Sequence, residues 1–186
     1  MSARLHRLYT DSLAPKLQKD LGVSCLLAVP RLEKIVLNMG LGSRLAQDSK
    51  IIEAASKDLS LIAAQKPVVT RARRSIAGFK IREGMPLGLK VTLRKQRMYE
   101  FLDRLVTMAM PRQANYRGNK AKFDGRGNYT FGLRDTSVFY EVDQGLSSVR
   151  MGMDVSIVTT AKTDMHCLAL LKGFDIPFVG EERVRG

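Results

Sequence analysis

His166 and Cys167 are the only adjacent imidazole and thiol in the chain. Side chains next to each other on a helix diverge by about 100°, so this pair does not make a nucleophile and its base. His6, the other histidine, stands alone among basic residues. No His/Cys cluster has metal-ligand spacing, and no two carboxylates sit together in a cleft-forming motif. Gly40-Leu-Gly-Ser-Arg-Leu45 follows a strand pattern and precedes a helix pattern, which is half of a dinucleotide-binding fingerprint. Leu45 takes the place of the third glycine, however, and Asp58, at the distance of a ribose partner, falls inside the next helix. A strand-exit turn accounts for it better. The expectation is a protein that is not an enzyme and that uses no cofactor and no metal.

The chemistry that these residues can do is the neutralisation of a polyanion. There are 31 Lys and Arg against 18 Asp and Glu, a formal charge of +13. Between Arg71 and Arg134 lie 16 basic and 4 acidic residues, whereas Asp135 to Gly186 holds 5 basic and 8 acidic. A surface charged only for solubility mixes the signs. A charge held in the middle third of the chain suits phosphate contacts and counterion release, with nucleic acid the first partner to consider and an anionic membrane surface the second.

Two segments concentrate this character. In residues 71–84, Arg71, Arg73, Arg74, Lys80 and Arg82 interleave with Ile76, Phe79 and Ile81, and Glu83 is the single acid. This is either an amphipathic hairpin with a solvated face or, fitting the one-sided charge better, a mobile arm that orders on RNA. In residues 112–127 a Gly- and Asn-rich basic loop leads to Phe123-Asp-Gly-Arg-Gly-Asn-Tyr-Thr-Phe131. Tyr129 and Phe131 either stack bases or face the core, and Arg126 and Asn128 are the candidate RNA contacts.

The elements that must position these residues are legible from periodicity. Leu5, Leu8, Leu13, Leu17 and Leu21 mark a first helix, in which Ser12 caps a new helix around Pro15 or Pro15 kinks a single one. Glu33–Gly42 alternates as a strand, with Lys34 and Asn38 on the polar side. Asp48 or Ser49 caps a helix with an Ile51, Ile52, Ala55, Leu59, Ile62 stripe that Pro67 ends. Val68–Thr70 and Leu87–Arg94 are strands, and Gln96–Met110 is a helix stopping at Pro111. Asn128–Leu133 and Met151–Thr159 are strands, and Asp164–Leu171 is a helix with Gly173 as its stop. This pattern predicts one α+β domain over residues 1–186. Its mostly antiparallel sheet would have helices on one face and the other face open for RNA, with long basic loops attached. Lys34, Asn38, Thr92, Lys90 and Arg94 share the parity of the open face.

About 45% of residues are hydrophobic, enough for a core, and no run reaches the roughly 18–20 apolar residues of a membrane helix. The start is faintly like an Arg-rich organellar presequence, but Asp11 and Asp20 favour a domain helix. Cys25 and Cys167 lie far apart and are expected to be buried, reduced thiols of a cytosol-like compartment.

Taken in order, Val29–Gly40, Gln65–Gly84, Lys90–Arg94, Phe123–Tyr129, Thr159–Lys162 and Phe174–Phe178 resemble the bacterial-type large-subunit ribosomal protein L five family, which binds 5S ribosomal RNA. The resemblance runs from about Leu5 to Phe178. It implies a place in the central protuberance of the ribosome, in a bacterium or an organelle. The sheet face would bind 5S RNA through Lys34, Asn38, Gln65, Lys66, Thr92 and Arg94. The arm would approach transfer RNA in the P site through Arg71, Arg73, Arg74, Ser75, Phe79, Lys80 and Arg82. It also implies a bridge to the small-subunit head protein S thirteen, for which Arg112, Arg117, Lys120 and the acidic region after Asp135 are candidates. Tyr140 stands where the family usually has proline, residues 144–148 diverge, and the tail from Val179 has no assignment. The alternatives are a free-standing RNA chaperone or translation factor using the same arm, and an RNA-modifying enzyme, which would need a pocket that the motifs do not supply.

Overall fold

A computed structural model describes residues 3–42, 50–113, 116, 118–142 and 151–179. The chain opens with helix α1 (Arg4–Leu8), a π-helical turn (Tyr9–Leu13) and helix α2 (Ala14–Asp20) joined end to end. Ser12 is not a cap: its hydroxyl donates to the Leu8 carbonyl at 2.8 Å, and Thr10 does the same to His6 at 2.9 Å. The π turn adds one residue, and this has a packing consequence. Leu5 and Leu13 are eight positions apart, but the insertion brings them close to two full turns, so that Leu5, Leu13 and Leu17 are all buried. Leu8 falls off that stripe and is 36% exposed, contrary to the simple periodicity.

Strand β1 (Leu32–Gly40) leads to helix α3 (Lys50–Ala63) and strand β2 (Val68–Arg71). The expected caps at Asp48 or Ser49 lie outside the described residues. Helix α3 ends before Pro67, where Ala64 takes a left-handed φ of 48°. The edge strand β2 pairs antiparallel with β3 (Pro86–Leu93), with an irregularity between Thr70 and Arg71. Gly88 is required in β3, because a Cβ there would lie 2.4 Å from the Met39 carbonyl oxygen.

Helix α4 (Lys95–Arg104), a π turn (Leu105–Ala109) and the short helix α5 (Met110–Arg112) repeat the device of the N-terminus. Pro111 therefore sits inside the last turn and does not stop the helix. Thr107 donates to the Asp103 carbonyl at 2.7 Å just ahead of it. The two-residue strand β4 (Asn119–Lys120) precedes β5 (Tyr129–Leu133) and β6 (Met153–Thr159). Helix α6 (Asp164–Gly173) starts at a Thr163 cap and is followed by β7 (Phe178–Val179), which pairs parallel with β4. Gly173 is the last residue of α6, and the left-handed turn falls at Asp175 (φ 60°). The reason for glycine is proximity: a Cβ at position 173 would stand 2.7 Å from Leu13 Cδ2.

The strands form a mostly antiparallel five-stranded sheet of order β2-β3-β1-β6-β5 in an α+β fold. The chain gathers into two compact units, residues 1–35, 93–131 and 156–186, and residues 36–92 and 132–155. Of the two cysteines, Cys167 is buried as expected and Cys25 is exposed, because it precedes a short surface turn (Leu26–Ala28) with no buried residue. No helix among the described residues is long and apolar enough to cross a membrane.

Candidate nucleic-acid interface

Alternation places the polar strand residues. β1 buries Ile35, Leu37 and Met39 and leaves Asn38 exposed and Lys34 half-buried. β3 buries Leu89, Val91 and Leu93, with Lys90 exposed and Thr92 half-buried. β6 likewise buries Met153, Val155 and Ile157 while Asp154 stays exposed. A strand has a period of two, so one row of each is committed to the core and the other turns outward. Arg94, one residue beyond β3, is exposed, and its Nη1 lies 3.8 Å from Glu33 Oε1. Gln65 is half-buried and Lys66 exposed in the link between α3 and β2.

The basic arm has a defined backbone path. Ala72 and Met85 are joined by a hydrogen bond of 2.8 Å, and Ile76 and Ile81 exchange two at 2.9 and 3.2 Å. Lys80 adopts a left-handed φ of 54° at the turn, and Gly84 has φ 80°. Two of the expected contact residues are spent on the arm itself. Arg71 Nη1 donates to the Gly84 carbonyl at 3.0 Å, and Ser75 Oγ accepts from the Glu83 amide at 2.9 Å. Arg73, Arg74, Lys80 and Arg82 are exposed and form no ion pair among the described residues. Phe79 is 74% exposed at the turn and Ile76 48%. An aromatic ring standing in solvent amid four exposed cations is a combination with the chemistry to stack a base and neutralise phosphates.

The second basic segment is built differently. Asp124 folds the turn over itself, accepting from the amides of Arg126 (2.8 Å) and Asn128 (3.0 Å) and from Asn128 Nδ2 (2.6 Å). Burial acts to raise the Asp124 carboxyl, but these hydrogen bonds together outweigh it and hold the group below its ordinary range. From α6, Asp164 reaches back and accepts from the amides of Gly125 (3.1 Å) and Gly127 (3.0 Å). The Thr159 hydroxyl donates to the Gly127 carbonyl at 2.6 Å and accepts from the Ala161 amide at 3.1 Å. Gly127 has φ 75°, and a Cβ on it would lie 2.5 Å from the Ala161 oxygen. The result is a rigid knuckle with Arg126 exposed at its tip. Asn128 is engaged by Asp124 and by the Thr159 amide (3.3 Å), so its side chain braces the knuckle.

Tyr129 and Phe131 divide between the two readings. Tyr129 is 1% exposed, packs against Phe123 (5.1 Å), Phe178 (5.2 Å) and Phe131 (5.6 Å), and donates its hydroxyl to the Lys120 carbonyl at 3.1 Å. Burial pushes its phenol well up. Phe131 remains half-buried. Arg112 and Lys120 are exposed, while Arg117 and residues 143–150 lie outside the described residues. Sequence reasoning missed Asp164 and Thr159 as the groups that seat Arg126. An acid in the first turn of a helix signals a helix start, and nothing in the spacing says that its carboxylate is lent to amides 37 and 39 positions away.

Comparison with known proteins agrees over almost the whole chain. The family model "Ribosomal protein L5" matches residues 26–82, and "ribosomal L5P family C-terminus" matches residues 86–178. The protein "Large ribosomal subunit protein uL5" of Chromobacterium violaceum is 53% identical over 179 residues, covering 96% of this chain and 99% of its own length. Its namesake from Synechococcus sp. is also 53% identical over 96% of this chain and 99% of its own. That of Dichelobacter nodosus is 50% identical over the same shares. A non-enzymatic, structural role in the large ribosomal subunit goes with that membership. On two family models and near full-length identity above one half, this chain belongs to the L5 family of large-subunit ribosomal proteins.

Proposed function

We propose that the protein binds 5S ribosomal RNA in the central protuberance through the polar strand rows, with Lys34, Asn38, Gln65, Lys66, Thr92 and Arg94 as contacts. Its arm engages P-site transfer RNA, and its second basic segment supports the small-subunit bridge. The observation that carries this reading is the arm: Arg73, Arg74, Lys80 and Arg82 are exposed around a solvent-facing Phe79 and have no acidic partner among the described residues. A surface that meets many transfer RNAs should read phosphate and shape before bases, and guanidinium groups on a hairpin do so. With Arg71 and Ser75 engaged inside the arm, the remaining cations and Phe79 carry the contact. Arg126, held on its knuckle, meets large-subunit RNA with Asn128 as its brace. Arg112, Arg117 and Lys120 are the residues proposed to contact the head protein S thirteen.

The test is binding of the purified protein to 5S RNA and to an unrelated structured RNA across a salt series. Six to ten phosphate contacts lower affinity by roughly 10³–10⁵ between 50 and 200 mM salt for any RNA. A preference for 5S RNA that survives at the high end is expected. A preference that vanishes with salt leaves charge alone and overturns 5S recognition by the strand rows.

A further inference from the structure

One cavity belongs to neither the strand rows nor the arm. It lies in the unit formed by residues 1–35, 93–131 and 156–186, beside α1 and the first turn of α4, and encloses about 680 Å³. Its floor is apolar: Ala3, Leu32, Met98 and Tyr99 line it and are at most 9% exposed. Its rim is polar, with exposed His6 and Gln96 and the two cations Arg31 and Lys95. The one acid on the rim, Glu33, has the Arg94 guanidinium 3.8 Å away. His6 stands edge-on to Tyr99 with ring centroids 5.1 Å apart. Helix α4 begins at this rim with no side-chain cap and no acid in its first turn. Lys95 is held at φ 53°, a backbone conformation that lysine rarely adopts.

We infer that this cavity seats a nucleotide of single-stranded RNA, its base on the apolar floor beside the His6 ring and its phosphates against Arg31, Lys95 and the start of α4. The volume suits one nucleoside, and an apolar floor with a few placed polar groups is how such sites are built. The charge favours a polymer over a free nucleotide. The cations continue beyond the cavity to exposed Arg94 and Arg97, so neighbouring phosphates also find partners. The inference rests on the proposed RNA-binding role, and of its residues only Arg94 is shared with the proposed 5S contacts.

The test is amide NMR of the ¹⁵N-labelled full chain, titrated with adenosine monophosphate and separately with a hexa-adenylate RNA. Expected are shifts clustered at Leu32, Gln96 and Met98 with both probes, and binding about ten-fold tighter for the hexanucleotide because of its flanking phosphates. Arg31→Gln with Lys95→Asn, the asparagine chosen to tolerate the left-handed backbone, should weaken the hexanucleotide at this cluster about ten-fold while shifts on the arm persist. Equal affinity for the two probes overturns the RNA assignment in favour of a free nucleotide. Shifts confined to the arm and strand rows overturn the cavity while leaving the proposed function intact. No shifts anywhere overturn the cavity, and the salt series with 5S RNA decides the proposed function separately.

Discussion

Replacing Asp164 tests whether the knuckle is held as described. Its carboxylate is 7% exposed and accepts from two backbone amides at 3.0 and 3.1 Å. Hydrogen bonds to a charged group contribute about 1.5–3 kcal/mol each, and a buried amide left without an acceptor costs about 1–3 kcal/mol. Gly125 is exposed and can turn to water, whereas Gly127 is buried and cannot. Asp164→Ala should therefore destabilise by about 2–4 kcal/mol. With a urea m-value of about 2 kcal/mol/M, the midpoint should fall on the order of 1–2 M. Asp164→Asn keeps one acceptor oxygen but turns an NH₂ toward the other amide, so about half that loss is expected. The RNA readout separates anchoring from charge. Either variant removes a negative charge and on Coulomb grounds should strengthen binding to phosphate. If Arg126 depends on the knuckle, affinity for large-subunit RNA should fall instead. A stability unchanged within about 0.5 kcal/mol, together with stronger RNA binding, would refute the reasoning.

Neutralising Arg73, Arg74 and Lys80 together should weaken transfer-RNA engagement while leaving 5S binding largely intact, measured by filter binding with each RNA, and equal loss of both would merge the two sites. Gly88→Ala should destabilise more than Gly173→Ala in urea melts, since the first drives a Cβ to 2.4 Å from the backbone oxygen of Met39 and the second meets only the end of the Leu13 side chain. About 1–3 kcal/mol is expected for Gly173→Ala. A thiol reagent should titrate one cysteine, Cys25, in the folded protein and two after denaturation. Burial pushes the Cys167 thiol up from its ordinary value near 9 to about 12. The folded state thus keeps its proton while the unfolded state ionises, so this stability is whole below pH 9 and is lost as pH rises toward 12. A Cys167→Ala variant, whatever its own packing cost, should show a shallower decline over that window.

Alternation was the most legible signal. The five strands of the main sheet lie within a residue or two of their expected places because half-buried strands must repeat every second residue, and Ile35, Leu37 and Met39 do so. The two-residue strands β4 and β7 are too short to show a period. The basic arm was also plain, since charge segregation is a property of composition along the chain. What periodicity hid were the adjustments that tertiary packing makes to local rules. Proline was expected to kink or stop helices at Pro15 and Pro111, yet a π turn and hydroxyl-to-carbonyl bonds precede it in both cases. Gly173 looked like a helix stop, but its role is to admit Leu13, a contact across 160 positions. Ser75, Arg71 and Asn128 have the residue types of RNA contacts. Only coordinates show their polar atoms committed to protein partners. Long-range hydrogen bonds leave no trace in spacing.

The knuckle also sets an order of events during synthesis. The arm closes on itself within 14 residues, through bonds such as that from Arg71 to Gly84, so it can form soon after leaving the exit tunnel. The Asp124–Asn128 turn can close locally but cannot be anchored. Its Gly125 and Gly127 amides wait for Asp164, and the Arg31 amide waits for Thr160, 129 residues downstream. A nascent chain paused before Thr159 would thus display a finished basic arm on an unfinished body, able to meet RNA before the rest can hold it. Premature capture by the wrong strand is the hazard built into that sequence of events, and rapid completion of the last thirty residues is the protection against it.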